Sequence, residues 1–184
     1  MNKINVLVIF GGKSGEHEVS LSSAFSILSN IDREKYNVLT VGITKSGHWL
    51  YFDKDIENIK NGSWEELSNK NVEINLIKNG NKEVGLNFED GTTKKIDVIF
   101  PVLHGPYGED GTIQGLFELS EIPYVGCGVL ASSVGMDKLI CKNLFSQVGL
   151  SQVDYTFTNK SDFENNKDLE ISKIEEKLNY PIFV

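Results

Sequence analysis

The sequence predicts an α/β protein: an open, mostly parallel sheet flanked by helices, followed by the opening part of a second, α+β unit. Three observations predict it. Ile4–Phe10 and Ile96–Leu103 are near-continuous apolar runs, the pattern of strands covered on both faces. Each run enters a glycine-rich loop and then a stretch with helical spacing. Asn37–Ile43 supplies a further strand after the first helix, which makes a βαβ unit, right-handed by default.

In order along the chain, Gly11-Gly12-Lys13-Ser14-Gly15 follows the first strand, and Leu21, Ala24, Phe25, Leu28 and Ile31 recur at helical spacing after it. The loop lacks the G-x-G-x-x-G spacing of a dinucleotide-binding turn. Lys45-Ser46-Gly47-His48 reads as a turn before a short aromatic strand, Trp49–Phe52, with His48 on the surface. Residues 55 to 68 are polar with some helical character. Val72–Lys78 and Val84–Phe88 read as strands joined through Asn79-Gly80-Asn81 and closed by Asp90-Gly91, a hairpin excursion from the main sheet. Ile96–Leu103 returns to that sheet. Ile113, Leu116, Phe117 and Ser120 mark a helix that stops before Pro123, and Tyr124-Val125 is a short strand. A long helix is expected from about Ala131 to Val148, with Gly149 ending it. Gln152–Thr158 is strand-like, Leu169–Leu178 helical, and Pro181–Val184 opens another strand. Residues from about 129 onward are therefore read as the start of a second domain that continues beyond this strand, giving domains at 1–128 and 129–184.

A hydrophobic fraction of 40% with 24% charged residues is ordinary for a globular protein. The net charge of −8 offers no basic stripe for a phosphate backbone, so nucleic acid is not expected as a partner. No apolar run approaches the roughly 18 residues of a spanning helix, and the N-terminus lacks a signal-peptide pattern. No membrane partner is expected. Cys127 and Cys141 lack metal-ligand spacing and read as reduced thiols of a cytoplasmic protein. The Asn61-Gly62-Ser63 sequon then has no consequence.

The chemistry concentrates in two loops. In an open α/β sheet, ligands settle outside the carboxyl ends of the strands, where both glycine loops must lie. The second loop, His104-Gly105-Pro106-Tyr107-Gly108-Glu109-Asp110-Gly111, combines an imidazole, two carboxylates and three glycines that permit close backbone approach or positive φ. A capped strand-to-helix turn would account for this composition by itself; the pairing with a first loop of the same character favours a binding site. Glu16 and Glu18 stand in the first turn of a helix, where carboxylates also serve as ordinary dipole complements. Beside the second loop, Glu16 becomes a candidate for receiving a ligand ammonium group.

Phe10-Gly11-Gly12 with Glu16-His17-Glu18-Val19-Ser20-Leu21, then His104-Gly105, Gly108-Glu109-Asp110-Gly111-Thr112, Gln114-Gly115, Pro123-Tyr124-Val125-Gly126 and Met136-Asp137-Lys138, resembles the D-alanine–D-alanine ligases, in order and across almost the whole chain. The resemblance implies an N-terminal α/β domain to about Gly128 and the start of an ATP-grasp central domain after it. It implies an enzyme of peptidoglycan precursor synthesis that uses ATP and Mg²⁺ to phosphorylate the carboxylate of one D-alanine, whose acylphosphate is attacked by the amine of a second D-amino acid. Positioning and charge stabilisation dominate such phosphoryl transfer.

By that resemblance Glu16 holds the first D-alanine's ammonium, His104 lies near its carboxylate, Val19 and Ser20 line the subsite, and Lys138 reaches the nucleotide phosphates. Without the resemblance, Lys138 reads as a solvated helix lysine. The family's phosphate loop and acidic Mg²⁺ ligands fall beyond Val184, so no residue of this chain is nominated as a metal ligand, and the chain alone is expected to be inactive. The Thr44–Gly47 turn, the long excursion and Gly126-Cys127 look like the vancomycin-resistance branch that makes D-alanyl-D-serine, which keeps D-serine open as the second substrate. A homodimer is expected from the family. A non-catalytic ligand-binding domain and a dimerisation module are the readings from other classes.

Overall fold

The computed structural model describes residues 3–68, 70–75, 85–88 and 90–184. Its first half runs β1 (Ile4–Gly11), α1 (His17–Asn30), β2 (Tyr36–Ile43), β3 (Trp49–Tyr51), α2 (Glu57–Lys60), α3 (Trp64–Leu67), β4 (Lys70–Asn75), β5 (Gly85–Phe88) and β6 (Thr93–Lys95). There follow β7 (Val98–Leu103), α4 (Thr112–Ser120), α5 (Val129–Met136), α6 (Lys138–Gln147), α7 (Lys160–Asn165) and α8 (Lys167–Glu175). Two compact units divide the chain, the first running to Met136 and the second from Asp137 to Val184.

Seven strands form one sheet in the order β6-β5-β4-β3-β2-β1-β7. Two parallel pairings stand at its centre: β1 lies parallel to β2, as the βαβ reading expects, with Val6 opposite Val38, and parallel to β7, with Val6 opposite Val98. The expected strand at Tyr124-Val125 is reduced to a single parallel bridge from Tyr124 to Ile99 beyond β7. The middle region is not an excursion. β3 to β6 extend the same sheet antiparallel from β2. Its Asp90-Gly91 turn closes as expected, with the Gly91 N–H donating to Phe88 O at 2.9 Å, while Asn79-Gly80-Asn81 lies outside the described residues.

Strand alternation sends β1 side chains to both faces, and both faces are covered, which is why the run reads as continuously apolar. Leu7 and Ile9 join Val41, Ile99, Ile113 and Phe117 under α4. Val6, Val8 and Phe10 join Leu21, Ala24, Leu28 and Trp64 under α1 and α3. Phe10 and Trp64 meet edge to face with ring centroids 4.9 Å apart. Trp64 can lie on the sheet only because residue 42 of β2 is glycine: a Cβ there would sit 2.2 Å from the indole ring.

The long helix expected from Ala131 to Val148 is two helices. The Asp137 side chain accepts the Ile140 N–H at 2.9 Å, an N-cap that starts α6 afresh after Met136. Gly149, at φ +74°, ends α6 as anticipated. Residues 152–158 and 181–184 are not strands, since no partner strand stands beside them among the described residues of the second unit. Gln152 instead donates to Lys142 O at 2.9 Å and Ser146 Oγ at 2.8 Å, holding its segment against α6 through side chains.

Candidate functional site

Because β1 and β7 are adjacent and parallel, with Gly11 opposite Leu103, their carboxyl ends release the two glycine loops side by side. Polar contacts knit the loops together. Ser20, on the first turns of α1, is buried; its hydroxyl accepts the Gly11 N–H at 2.7 Å and donates to Val102 O. Ser14 Oγ donates to His104 O at 2.6 Å. His17, also buried, bonds through Nδ1 to Gly12 O at 2.7 Å, so this histidine is structural.

Three functional groups then converge. Glu16 precedes α1 and is exposed. Its carboxylate lies against Gly105, where an added Cβ would come within 3.1 Å of Glu16 Oε1. His104 Nε2 is 3.1 Å from Ser23 Oγ, and its Nδ1 is 3.9 Å from Glu109 Oε1. The other oxygen of Glu109 accepts the Gly105 N–H at 2.7 Å. One donor atom each from Glu16, His104 and Glu109 lies within 4.8 Å of the others. Among the described residues, the ion pairs of this region are Lys45–Glu18 at 2.8 Å and His104–Glu109, leaving both Glu16 and Glu109 without a lysine or arginine partner. Lys45 also holds Glu18 below the usual carboxylate range by hydrogen bonding and charge, and takes it out of the cluster. Two carboxylates facing an imidazole make a receptor for a cation.

The far side of the loop is held by Asp110. Burial pushes its carboxyl up, but hydrogen bonds from the Tyr107 and Thr112 N–H groups, at 2.9 and 3.0 Å, outweigh this and hold it below its ordinary value. Gly111 adopts φ +93°, and a Cβ there would meet Ser133 Oγ at 2.3 Å, so the start of α4 packs directly on α5. Between the loops a cavity of about 530 Å³ opens, lined by Gly12, Lys13, Trp49, His104, Tyr107 and Leu116 among others. Lys13 stands over the Tyr107 ring at 5.7 Å.

Of the residues singled out in the sequence, Glu16 and His104 come together. Val19 is half exposed on the first turn of α1. Ser20 does not present its hydroxyl to a ligand, since both of its hydrogen bonds go to strand ends. Lys138 is the first residue of α6, in the second unit, and is exposed. Cys127 and Cys141 are free thiols. Ser14 and Ser23 were not among them, and Glu109 entered only as one of the second loop's two carboxylates. Ser23 was within reach of pattern reading, because Glu16, Ser20 and Ser23 recur at i, i+4 and i+7 on one helical face.

Magnesium does not fit the cluster, because it prefers an octahedral shell of oxygens and one of the three donors is an imidazole. No helix among the described residues is long and apolar enough to cross a membrane.

Comparison with known proteins supplies the family. The family model of the D-Ala–D-Ala ligase N-terminus matches residues 5–127. A D-alanine–D-alanine ligase of Acetivibrio thermocellus is 51% identical, over all of this chain and 52% of that protein. Among solved structures, the VanG D-Ala:D-Ser ligase from Enterococcus faecalis matches with a TM-score of 0.80 and 38% identity, over 98% of this chain and 51% of that one. The D-alanine–D-alanine ligase from Coxiella burnetii matches at 0.77 and 31%, over 93% and 50%. The chain spans about half the length of the relatives it matches. Paired glycine loops, the Glu16–His104 approach and a match over most of the first unit lead to one conclusion: the chain belongs to the D-alanine–D-alanine ligase family.

Proposed function

We propose that this chain forms the N-terminal part of an ATP-dependent ligase that joins D-alanine to D-alanine, and that its own contribution is the seat of the first D-alanine. The observation that carries this is the approach of the unneutralised Glu16 carboxylate to His104 at the mouth of the two loops. Glu16 receives the substrate ammonium, and a charge-assisted hydrogen bond there is worth more than a neutral one. His104, steadied by Ser23, faces the substrate carboxylate, where a ring N–H offers it a hydrogen bond. Val19 covers the rim. ATP supplies the phosphoryl group that activates this carboxylate for displacement by the second amine. Lys138 contributes a phosphate contact, and the N-terminal domain ends near Gly128. Mg²⁺ accompanies the nucleotide through ligands outside this chain. On this reading the protein is a cytoplasmic homodimer that works in cell-wall precursor synthesis.

D-serine as second substrate is the alternative, favoured by the fold match to the Enterococcus faecalis D-Ala:D-Ser ligase. The test uses the complete reading frame that encodes this chain, incubated with ATP, Mg²⁺ and D-alanine, with and without D-serine, and products identified by mass. D-alanyl-D-alanine is expected, with Glu16→Gln raising the KM for the first D-alanine at least tenfold. Preferential D-alanyl-D-serine would establish the alternative. No dipeptide under any condition, or an unaltered Glu16→Gln enzyme, would overturn the proposal.

A further inference from the structure

We propose that Gln114, Ser132 and the bare helix position Gly135 form a second small-molecule site, whose ligand is a small neutral molecule carrying a primary carboxamide. Neither Glu16 nor His104 lines this site, and it holds whatever reaction the whole protein catalyses.

A cavity of about 380 Å³ opens between the end of β7, residues 125–127 and α5, with Leu103, Val125 and Met136 among its apolar walls. That volume lies in the range of roughly 300–1,000 Å³ usual for small-molecule pockets, and far exceeds the roughly 10–15 Å³ that one water needs. Gln114 lines the cavity and is 6% exposed. Its Nε2 donates to Gly108 O at 2.9 Å. A carbonyl can only accept, so this bond fixes the amide with its nitrogen toward Gly108 and its oxygen turned away. That oxygen, Oε1, is buried and has no hydrogen-bond partner among the described residues. A buried acceptor without a donor is destabilising, and a ligand N–H is the group that would complete it.

Ser132 supplies the complement. It is buried on α5 and lines the same cavity, and its hydroxyl donates to Cys127 O at 3.4 Å, the long limit of a hydrogen bond, so the proton is readily redirected. A primary carboxamide matches the pair, since its NH₂ donates to Gln114 Oε1 and its carbonyl accepts from Ser132. Glu109 also reaches the wall, but its oxygens face the Gly105 N–H and His104, so a neutral ligand suits the cavity better than a cation. Gly135 leaves the room. It stands inside α5, where alanine is the better helix former. Its φ is not positive, and a Cβ there would meet nothing within 4 Å, so neither backbone angle nor packing requires glycine. An open place on a cavity wall is what a ligand needs.

The test is an NMR titration of isobutyramide into the ¹⁵N-labelled chain, read at the Gln114 side-chain amide and at the backbone amides of Gly126 and Gly135. Saturable shifts at these signals are expected, with a millimolar dissociation constant. Gln114→Met keeps the side-chain length but offers no acceptor, and should weaken binding by roughly tenfold or more. Gly135→Ala should weaken it as much, because its methyl group enters the ligand's place. The alanine also favours the helix, so an unfolding temperature at or above that of the wild type shows that the loss is not misfolding. Isobutyrate, which lacks the NH₂ group, should not bind. The proposal fails if isobutyramide moves none of these signals, which would leave water as the partner of Gln114. It also fails if both variants bind as wild type, or if isobutyrate binds as well as the amide.

Discussion

The hydroxyl of Ser14 donates a 2.6 Å hydrogen bond to the carbonyl oxygen of His104, ninety residues away in sequence, and so ties the loop after β1 to the loop after β7. The Ser14 hydroxyl oxygen in turn accepts the Glu16 N–H at 3.2 Å. Ser14→Ala removes both contacts at a partly buried position. A loss of about 1 kcal/mol in urea unfolding is expected, and in the complete protein a higher KM for the first amino acid with kcat little altered. An unchanged KM would show that the loops hold their spacing without Ser14.

Ser20 sits deeper. Ser20→Ala leaves the Gly11 N–H and the Val102 carbonyl without their buried partner. Unsatisfied buried groups cost about 1–3 kcal/mol, so equilibrium denaturation should show a loss of about 2 kcal/mol or more, larger than for Ser14→Ala. Equal losses in the two variants would mean that the strand ends relax to find other partners.

Gly42→Ala tests the seat of Trp64. The added methyl overlaps the indole, and overpacking of a filled core typically costs about 1–3 kcal/mol. Trp64→Leu in the same chain should recover part of this loss. If the double variant is simply the sum of the two single ones, the clash is not where the structure puts it.

Acid stability follows from Asp97 and Asp110. The Lys95 ammonium and the Asn5 N–H, each 2.8 Å away, hold the Asp97 carboxyl below its ordinary value, and Asp110 is likewise depressed. A depressed folded-state value means stability that is fully present above the unfolded-state value, roughly 4, and lost as pH falls through the lower folded value. Urea midpoints should therefore be level near neutrality and fall below about pH 4. The Asp97→Asn/Asp110→Asn double variant should be less stable at pH 7 but lose less on acidification. Parallel acid limbs for the two proteins would refute this.

What could be read from the sequence is what depends on local pattern. Ile4–Phe10 announced a covered strand because alternation and burial leave no polar position in it, and the glycine loops announced themselves by composition. Glu16 and His104 could be paired only through the resemblance and the rule for strand ends. Glu109 was counted among the second loop's carboxylates, but its role was not legible because it depends on the Gly105 N–H folding back upon it. Ser20 misled for a complementary reason: a small hydroxyl beside a ligand-facing glutamate reads as part of the site, yet helical spacing turns it to the sheet. The break at Asp137 was hidden because an aspartate inside an amphipathic pattern reads as a polar face until its side chain is seen capping a new helix. Gln152–Thr158 has strand composition, but a strand needs a neighbour.

The central place of β1 has a kinetic consequence. β1 and β2 meet across one short helix, whereas β1 and β7 close a span of about ninety residues, with Asn5 and Asp97 joined at 92. Loop closure on that scale is a late and slow event in folding. Glu16 and His104 lie on opposite sides of that closure, so no partly folded chain holding only the β1–α1–β2 segment carries the cation receptor. Ligand-binding competence should appear in step with the final cooperative phase of refolding, and amides of β7 should exchange with solvent only through opening that also dismantles the receptor.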